Sequence, residues 1–470
     1  MTRSTLADGP RPSLRAAASN FAGSLALQGG LRAARLTSLL VAAYLLSTDD
    51  FAALAIALAL TDLARVSLQA FDVAALRARG ASDRSKSSMR VLTAAKILVA
   101  IAFGGASIVL CALLYGSLAA SSVAVLSLGV VFGALAALWM VPAQSNLRLL
   151  SMTPAVLSAS VVTVVAATVG ATTGSPLGVA VGLVVGDVVL LALVARKERF
   201  VPDFELQRVL AALRESPRLM VQQFGYVGQF RFGTLALGVL ASPLAVAEYA
   251  LASRLAEGLM IVSAAITATS YPVMVRALAA HGRAAVLDRF VPAHWLAVGV
   301  STVTVFLMVL TVPLWLPVVL PKYPGAAVPF ALVGLGVIAM FSSAQTTVVL
   351  NTLRRDSVAA ATALLGLGTN VTGVLLLAGS TGAIGVACSR LAGEALRTVA
   401  EILAVRSEGS RRLRLAWGVW LAMAPLLTGI VLAVVSEWDT RVLVASGLLG
   451  GTASVLATLR YWPRLQERSR

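Results

Sequence analysis

Arginine, glutamine and carboxylate residues recur at helical spacing inside segments that are otherwise apolar. Gln28, Arg32 and Arg35 advance by three or four, and Asn20, Ser24 and Ser38 extend the same stripe. Asp62, Arg65, Gln69 and Asp72 repeat the pattern on a second segment. A third carries Gln222, Gln223, Tyr226, Gln229 and Arg231, and a fourth carries Arg254 and Glu257. An ionised side chain at mid-bilayer costs about 2.5–3.5 kcal/mol on insertion scales, so such residues face a protein interior or a wet cavity. Arg32, Arg35, Asp62, Arg65, Arg231, Arg254 and Glu257 comprise five cations and two anions, an excess of three. Arginine offers a rigid bidentate fork that stays protonated when desolvated, which suits phosphate or carboxylate. The chemistry expected is therefore anion binding by Gln28, Arg32, Arg35, Arg65, Arg231 and Arg254. Asp62, Glu257 and Gln229 are expected to line or couple the same cavity.

A blander role competes. Asp62 with Arg65, and Arg254 with Glu257, form intrahelical ion pairs by spacing and could serve only to ease insertion. Arg32, Arg35 and Arg231 have no such partner on their own segments. Arg390, Glu394, Arg397 and Glu401 alternate in sign along one face and are expected to form a structural or inner-gate network. Lys96 and Asp187 are single polar residues, expected to make helix–helix contacts. His281 and His294 have no metal-ligand company, no metal site is expected, and no GxxxxGK stretch or other cofactor motif occurs.

The elements that position these residues follow from composition. Of 470 residues, 58% are apolar and 13% charged, with mean hydropathy +0.88. A soluble domain carries about a quarter charged residues. The apolar residues cluster in blocks of about twenty, the length that crosses a hydrocarbon core. Fourteen spans are predicted, at 21–46, 51–75, 91–115, 119–141, 152–173, 177–195, 218–241, 244–274, 293–320, 326–350, 357–379, 382–404, 415–435 and 441–459. Pro313, Pro317 and Pro321 predict a kinked or unwound end to the ninth. The fold class is all-α and polytopic.

Twenty-eight of the 38 basic residues fall in alternate loops and the two tails, against Lys322 and Arg441 on the other side. That asymmetry predicts that both termini are cytoplasmic, with the first 20 residues as a basic cytoplasmic tail lacking the apolar core of a signal peptide. The formal charge of +17 is thereby a topology signal, and nucleic acid, which calls for basic residues interleaved with stacking aromatics, is not an expected partner. Cys111 and Cys388 are too few and too distant for a disulfide framework.

Residues 45–62 (LLSTDDFAALAIALALTD) align without gaps to 240–257 (LASPLAVAEYALASRLAE), so that Ser47 meets Ser242, Leu54 meets Tyr249 and Asp62 meets Glu257. The expected organisation is two six-helix lobes, 21–195 and 218–404, related by an axis along the membrane normal. A cytoplasmic linker at 196–217 joins them. A basic loop at 405–414, two extra helices within 415–459 and a basic tail at 460–470 complete the chain.

The stretch SPRLMVQQFGYVGQFRFGTLALGVLASPLAVAEYALASRLAEGLM and its continuation to Phe290 resemble the central helices of polysaccharide and O-antigen flippases. These belong to the multidrug/oligosaccharidyl-lipid/polysaccharide (MOP) exporter superfamily, with lipid II flippases and MATE drug exporters. LLSTDDFAALAIALAL resembles the first hairpin of that family, with Ala52 where a glycine is usual, and LNTLRRDSVAAATALLGLGTNVTGVLLLAGSTGAIGVACSR resembles a later helix pair. The resemblance implies a V-shaped bundle that carries an undecaprenyl-pyrophosphate-linked glycan between leaflets by alternating access, driven by membrane potential or an ion gradient. It maps the family's cavity arginines by helix position onto Arg32, Arg35, Arg231 and Arg254. It implies a monomer that works beside a polysaccharide polymerase and glycosyltransferases. A MATE-like exporter of organic cations would call for an acidic cavity. A membrane enzyme would call for a large external or acidic metal-binding loop, and an inactive scaffold would keep the fold alone.

Overall fold

The computed structural model describes residues 14–81, 85–146 and 148–407, and the two spans predicted within 415–459 lie outside them. The described residues form twelve α-helices and no strand. They are α1 (Leu14–Leu45), α2 (Thr48–Ser67), α3 (Gln69–Ala81), α4 (Ser85–Tyr115), α5 (Ser117–Ser145), α6 (Thr153–Thr172), α7 (Pro176–Ala195), α8 (Leu206–Glu215), α9 (Pro217–Leu240), α10 (Pro243–Val319), α11 (Ala327–Thr352) and α12 (Asp356–Ser407). Among the described residues, eight helical stretches are long and apolar enough to cross a membrane. Lipid-facing surface is evident on α6, where Val161, Val165 and Val169 are exposed at every fourth position. A soluble protein would bury such a stripe.

Two predicted loops are helical instead. The chain between the spans at 244–274 and 293–320 continues as α10 and breaks only at Gly282, where φ is +75°. The predicted turn at 380–381 lies within α12, which breaks at Gly382 with φ +55°. Glycine adopts this left-handed backbone without a Cβ penalty, so the axis turns while helical bonding resumes on both sides. The prolines of the ninth span leave no break: α10 runs through Pro313 and Pro317 to Val319. Proline's fixed φ fits the helix, and a polytopic bundle tolerates the missing donors. The second predicted span divides at Leu68 into α2 and α3.

Helices α4 to α7 pack on one another and on α1 and α2, whereas α9, α11 and α12 pack together with α10. The two sets meet where α1 and α2 lie against α9 and α10. Small residues allow the tightest approach. A Cβ on Gly170 would stand 2.1 Å from the carbonyl oxygen of Gly178, so α6 and α7 touch backbone to backbone. Helix α11 is buried along nearly its whole length and forms the centre of the second set.

Three serine caps fix the starts of helices that carry charge. Ser47 Oγ accepts from Asp50 N on α2 (3.1 Å), Ser175 Oγ from Leu177 N on α7 (3.3 Å), and Ser242 Oγ from Ala245 N on α10 (3.3 Å). Ser47 and Ser242, aligned in the internal comparison, thus do the same work on their helices. Asp62 and Glu257 follow them at equal distance.

Around Ser47 the two sets are clamped. Lys322, just past α10, donates through Nζ to the carbonyl oxygens of Tyr44 (2.9 Å) and Leu46 (3.1 Å). Tyr323 donates its hydroxyl to Ala43 O (3.4 Å) and packs its ring 5.6 Å from Phe51.

Candidate functional site: an arginine-lined cavity

A cavity of about 350 Å³ lies where α1, α2, α9 and α10 meet, with α5 and α7 behind. Its lining extends from Leu39 and Leu58 towards Gln69, Asp72, Lys96 and Met140, and includes nothing from the clamped turn between α1 and α2. Arg32, Arg35, Asp62, Arg65, Arg231, Arg254 and Glu257, widely separated in sequence, all line it. Helices α1 and α2 present theirs from one side, α9 and α10 from the other.

The charges form two groups. Arg65 donates both terminal nitrogens to Asp187 on α7 (2.7 and 3.1 Å), and Arg35 reaches the same carboxylate at 3.2 Å. Across the cavity, Arg231 donates to both oxygens of Glu257 (2.5 and 2.7 Å) and lies 3.0 Å from Asp62. Arg254 stands 2.6 Å from Asp62 and 3.3 Å from Glu257. Of the two intrahelical pairs considered from spacing, Arg254–Glu257 forms and Asp62–Arg65 does not. Asp62 turns to α9 and α10 instead.

Arg32 is different. Half-buried on the cavity wall, it makes no hydrogen bond or ion pair among the described residues. Its electrostatic neighbours are Tyr226 and Glu257 on one hand and the like-charged Arg35 and Arg231 on the other.

Asp187 and Lys96, expected to make helix–helix contacts, do so and also line the cavity, where Asp187 is the shared counter-ion of Arg35 and Arg65. Lys96 pairs with Asp72 at 2.5 Å at the far end of the cavity. Gln229 does not line the cavity. It lies fully buried against α12, where Asn370 Nδ2 donates to its backbone carbonyl oxygen (3.0 Å). Cavity contacts from α9 fall at Tyr226, Val227, Phe230 and Arg231, and a residue two places from Arg231 must face elsewhere. Gln28 lies on α1, and its side chain is outside the described residues.

With Lys96, Asp72 and Asp187 included, six cations and four carboxylates line the cavity, an excess of two rather than three. Two glycines of α5 make room for the Arg65–Asp187 pair. A Cβ on Gly133 would stand 2.7 Å from Arg65 Nη1, and one on Gly129 would stand 2.9 Å from Asp187 Oδ2. Neither was marked from sequence, although a glycine pair one turn apart on an apolar helix is a signal of close approach.

The quartet on α12 stands apart from the cavity. Arg390, Glu394, Arg397 and Glu401 are fully buried. Arg397 Nε donates to Glu401 at 2.9 Å, and Glu401 also accepts from Thr346 at 2.7 Å. Arg390 donates to Ser253 (3.0 Å) and stacks 3.8 Å over the Phe230 ring, while Arg397 lies 4.7 Å over Tyr226. Both rings also line the cavity, so α12 stiffens the wall that α9 presents. Among the described residues, no group of three or more His, Cys, Asp or Glu side chains is arranged as metal ligands.

No family model matches the chain, and no curated protein does. Solved structures do. The Vibrio cholerae MATE transporter VcmN aligns at 17% identity over 84% of this chain and 98% of its own, with a TM-score of 0.63. The lipid II flippase MurJ, in an inward closed conformation, aligns at 12% identity over 96% of this chain and 100% of its own, also at 0.63. A MOP superfamily transporter from Pyrococcus furiosus, with a binding pocket of reverse polarity, aligns at 12% identity over 84% and 95%, at 0.65. At these identities the likeness carries the architecture: this chain has the all-helical, multi-pass membrane fold of MATE transporters and the lipid II flippase.

Proposed function

We propose that this protein is a transporter, not an enzyme, and that it flips an undecaprenyl-pyrophosphate-linked oligosaccharide across the bacterial cytoplasmic membrane. The observation that carries the reading is Arg32, a guanidinium on the wall of a cavity with excess positive charge and no carboxylate of its own. In a low-dielectric setting an unpaired cation is costly, and an arriving phosphate relieves that cost. Arg35, the most exposed of the remaining arginines, is placed to exchange part of its carboxylate contact for phosphate oxygens.

The cargo enters from the end of the cavity near Gln69 and Lys96, because the opposite end is clamped by Lys322 and Tyr323. Two halves, 21–195 and 218–404, rock about the α1–α2 and α9–α10 contact to release it on the other side. The lipid tail stays in the bilayer, and only the headgroup and sugars need a wet path.

Asp62, Asp72, Asp187 and Glu257 in the same cavity favour a second reading, export of small organic cations by a MATE-like mechanism. One experiment separates the two. Replacing Arg32 and Arg35 together by glutamine abolishes glycan export in a complementation assay while membrane insertion persists, if the cargo is anionic. Wild-type glycan export by that double variant would remove the proposal, and retained cation export would support the second reading.

A further inference from the structure

Helix α8 carries a single apolar stripe, of which only half is covered. At 100° per residue, Val209, Leu213, Leu206 and Leu210 fall on one side and Arg208 on the other. Val209 is buried and Leu213 half-buried against the core that includes α4, whereas Leu206 and Leu210 are exposed. Val201 and Phe204, just before the helix, are exposed too. Exposed apolar side chains beside lipid-facing helices need no comment, but this segment is not a span. It lies between the end of α7 at Ala195 and the start of α9 at Pro217, so the chain holds it at the membrane boundary.

Cations flank the helix along the chain. Arg196, Arg199, Arg214 and Arg218 are exposed and make no ion pair among the described residues. Arg214 follows Leu206 and Leu210 at the next four-residue step, which puts it at the rim of the stripe. Arg208, on the opposite face, is held by Glu205 at 2.9 Å and Asp203 at 3.9 Å. Asp203 and Glu205 therefore sit with Arg208 away from the uncovered stripe, and the free guanidinium of Arg214 edges it.

We infer that α8 is an interfacial helix that docks on a lipid surface bearing anionic headgroups. Leu206, Leu210, Phe204 and Val201 enter the boundary between headgroups and acyl chains, while Arg199, Arg214 and Arg218 meet lipid phosphates. This combination of apolar face and unpaired cations fits a bilayer better than a protein partner, whose acidic groups would have to reach both ends of the segment. The inference does not depend on what the cavity carries.

The test uses the full chain with Cys111→Ser and Cys388→Ser, and a nitroxide attached at Leu210→Cys or, on the uncovered polar side, at Ala211→Cys. In nanodiscs containing phosphatidylglycerol, the label at 210 should collide readily with oxygen and be shielded from a water-soluble nickel chelate. The label at 211 should show the reverse. In phosphatidylcholine alone, shielding at 210 should fall. Arg199→Gln, Arg214→Gln and Arg218→Gln should lower the docked-to-undocked ratio in phosphatidylglycerol by about fivefold for each charge removed. The lipid comparison needs no charge variant and stands if that triple variant misfolds. Equal access of the chelate to both labels in phosphatidylglycerol would overturn the inference, leaving the face to solvent or a protein. Shielding at 210 that ignores lipid charge would overturn it as well.

Discussion

Asp62 on α2 lies 2.6 Å from Arg254 on α10, and this carboxylate joins the first set of helices to the second within the cavity. It also stands 3.0 Å from Arg231, so two cations of the second set depend on one acid of the first. Asp62→Asn removes that charge and leaves Arg254 with only the longer contact to Glu257. The expected result is tighter binding of inorganic pyrophosphate by purified protein, because the cavity gains a net positive charge. Melting temperature in detergent should fall, since a mostly buried pair has lost one member. Unchanged affinity together with unchanged melting would mean that Asp62 neither balances nor bridges.

Arg32 gives the converse prediction. It has no partner to strand and its unpaired charge is costly, so Arg32→Gln should leave melting unchanged or raise it. A hydrogen bond to a charged group contributes about 1.5–3 kcal/mol, which corresponds to roughly 10- to 150-fold weaker pyrophosphate binding. Arg35→Gln should weaken binding less, because Arg65 still holds Asp187 in place. Isothermal titration of the two variants side by side checks the order.

Much of this arrangement is legible in residue types and spacing, because apolar length and helical period are local properties. The stripe from Arg32 to Arg35, the pair Arg254–Glu257 and the matched positions of Asp62 and Glu257 all stand where periodicity puts them. Asp187 was opaque for a physical reason. A lone acid on an apolar helix has no neighbour on its own helix to reveal its partner, and only the packing of α7 beside α2 and α5 brings it to Arg65. Gln229 shows the opposite error, since it and Arg231 share a segment but not a face. The breaks at Gly282 and Gly382 were hidden because helix-forming sequence continues on both sides of a single permissive residue.

Gly133 tests whether close packing of α5 sets the Arg65–Asp187 geometry. Gly133→Ala places a methyl 2.7 Å from Arg65 Nη1 and 3.1 Å from Asp187 Oδ1, so the guanidinium must move. Overpacking of this kind costs about 1–3 kcal/mol and should lower the melting temperature. Gly105→Ala is the control, because its Cβ would meet nothing within 4 Å. A melting curve of Gly133→Ala that overlays the control would show that the pair is free to adjust.

Arg397 and Glu401 supply a prediction about stability rather than transport. Both are almost wholly buried, one turn apart on α12, and Glu401 is further held by Thr346. Removing one member leaves an uncompensated charge in the core. Glu401→Met or Arg397→Met alone should therefore destabilise the protein by about 3–5 kcal/mol, enough to reduce the folded yield from membranes. The double replacement, Arg397→Met with Glu401→Met, removes both charges at similar volume and should recover most of that loss. Fluorescence-detected size exclusion after graded heating distinguishes the outcomes. A double variant no better than either single one would show that the cost lies in lost hydrogen bonds and in the cation contact with Tyr226, not in the stranded charge.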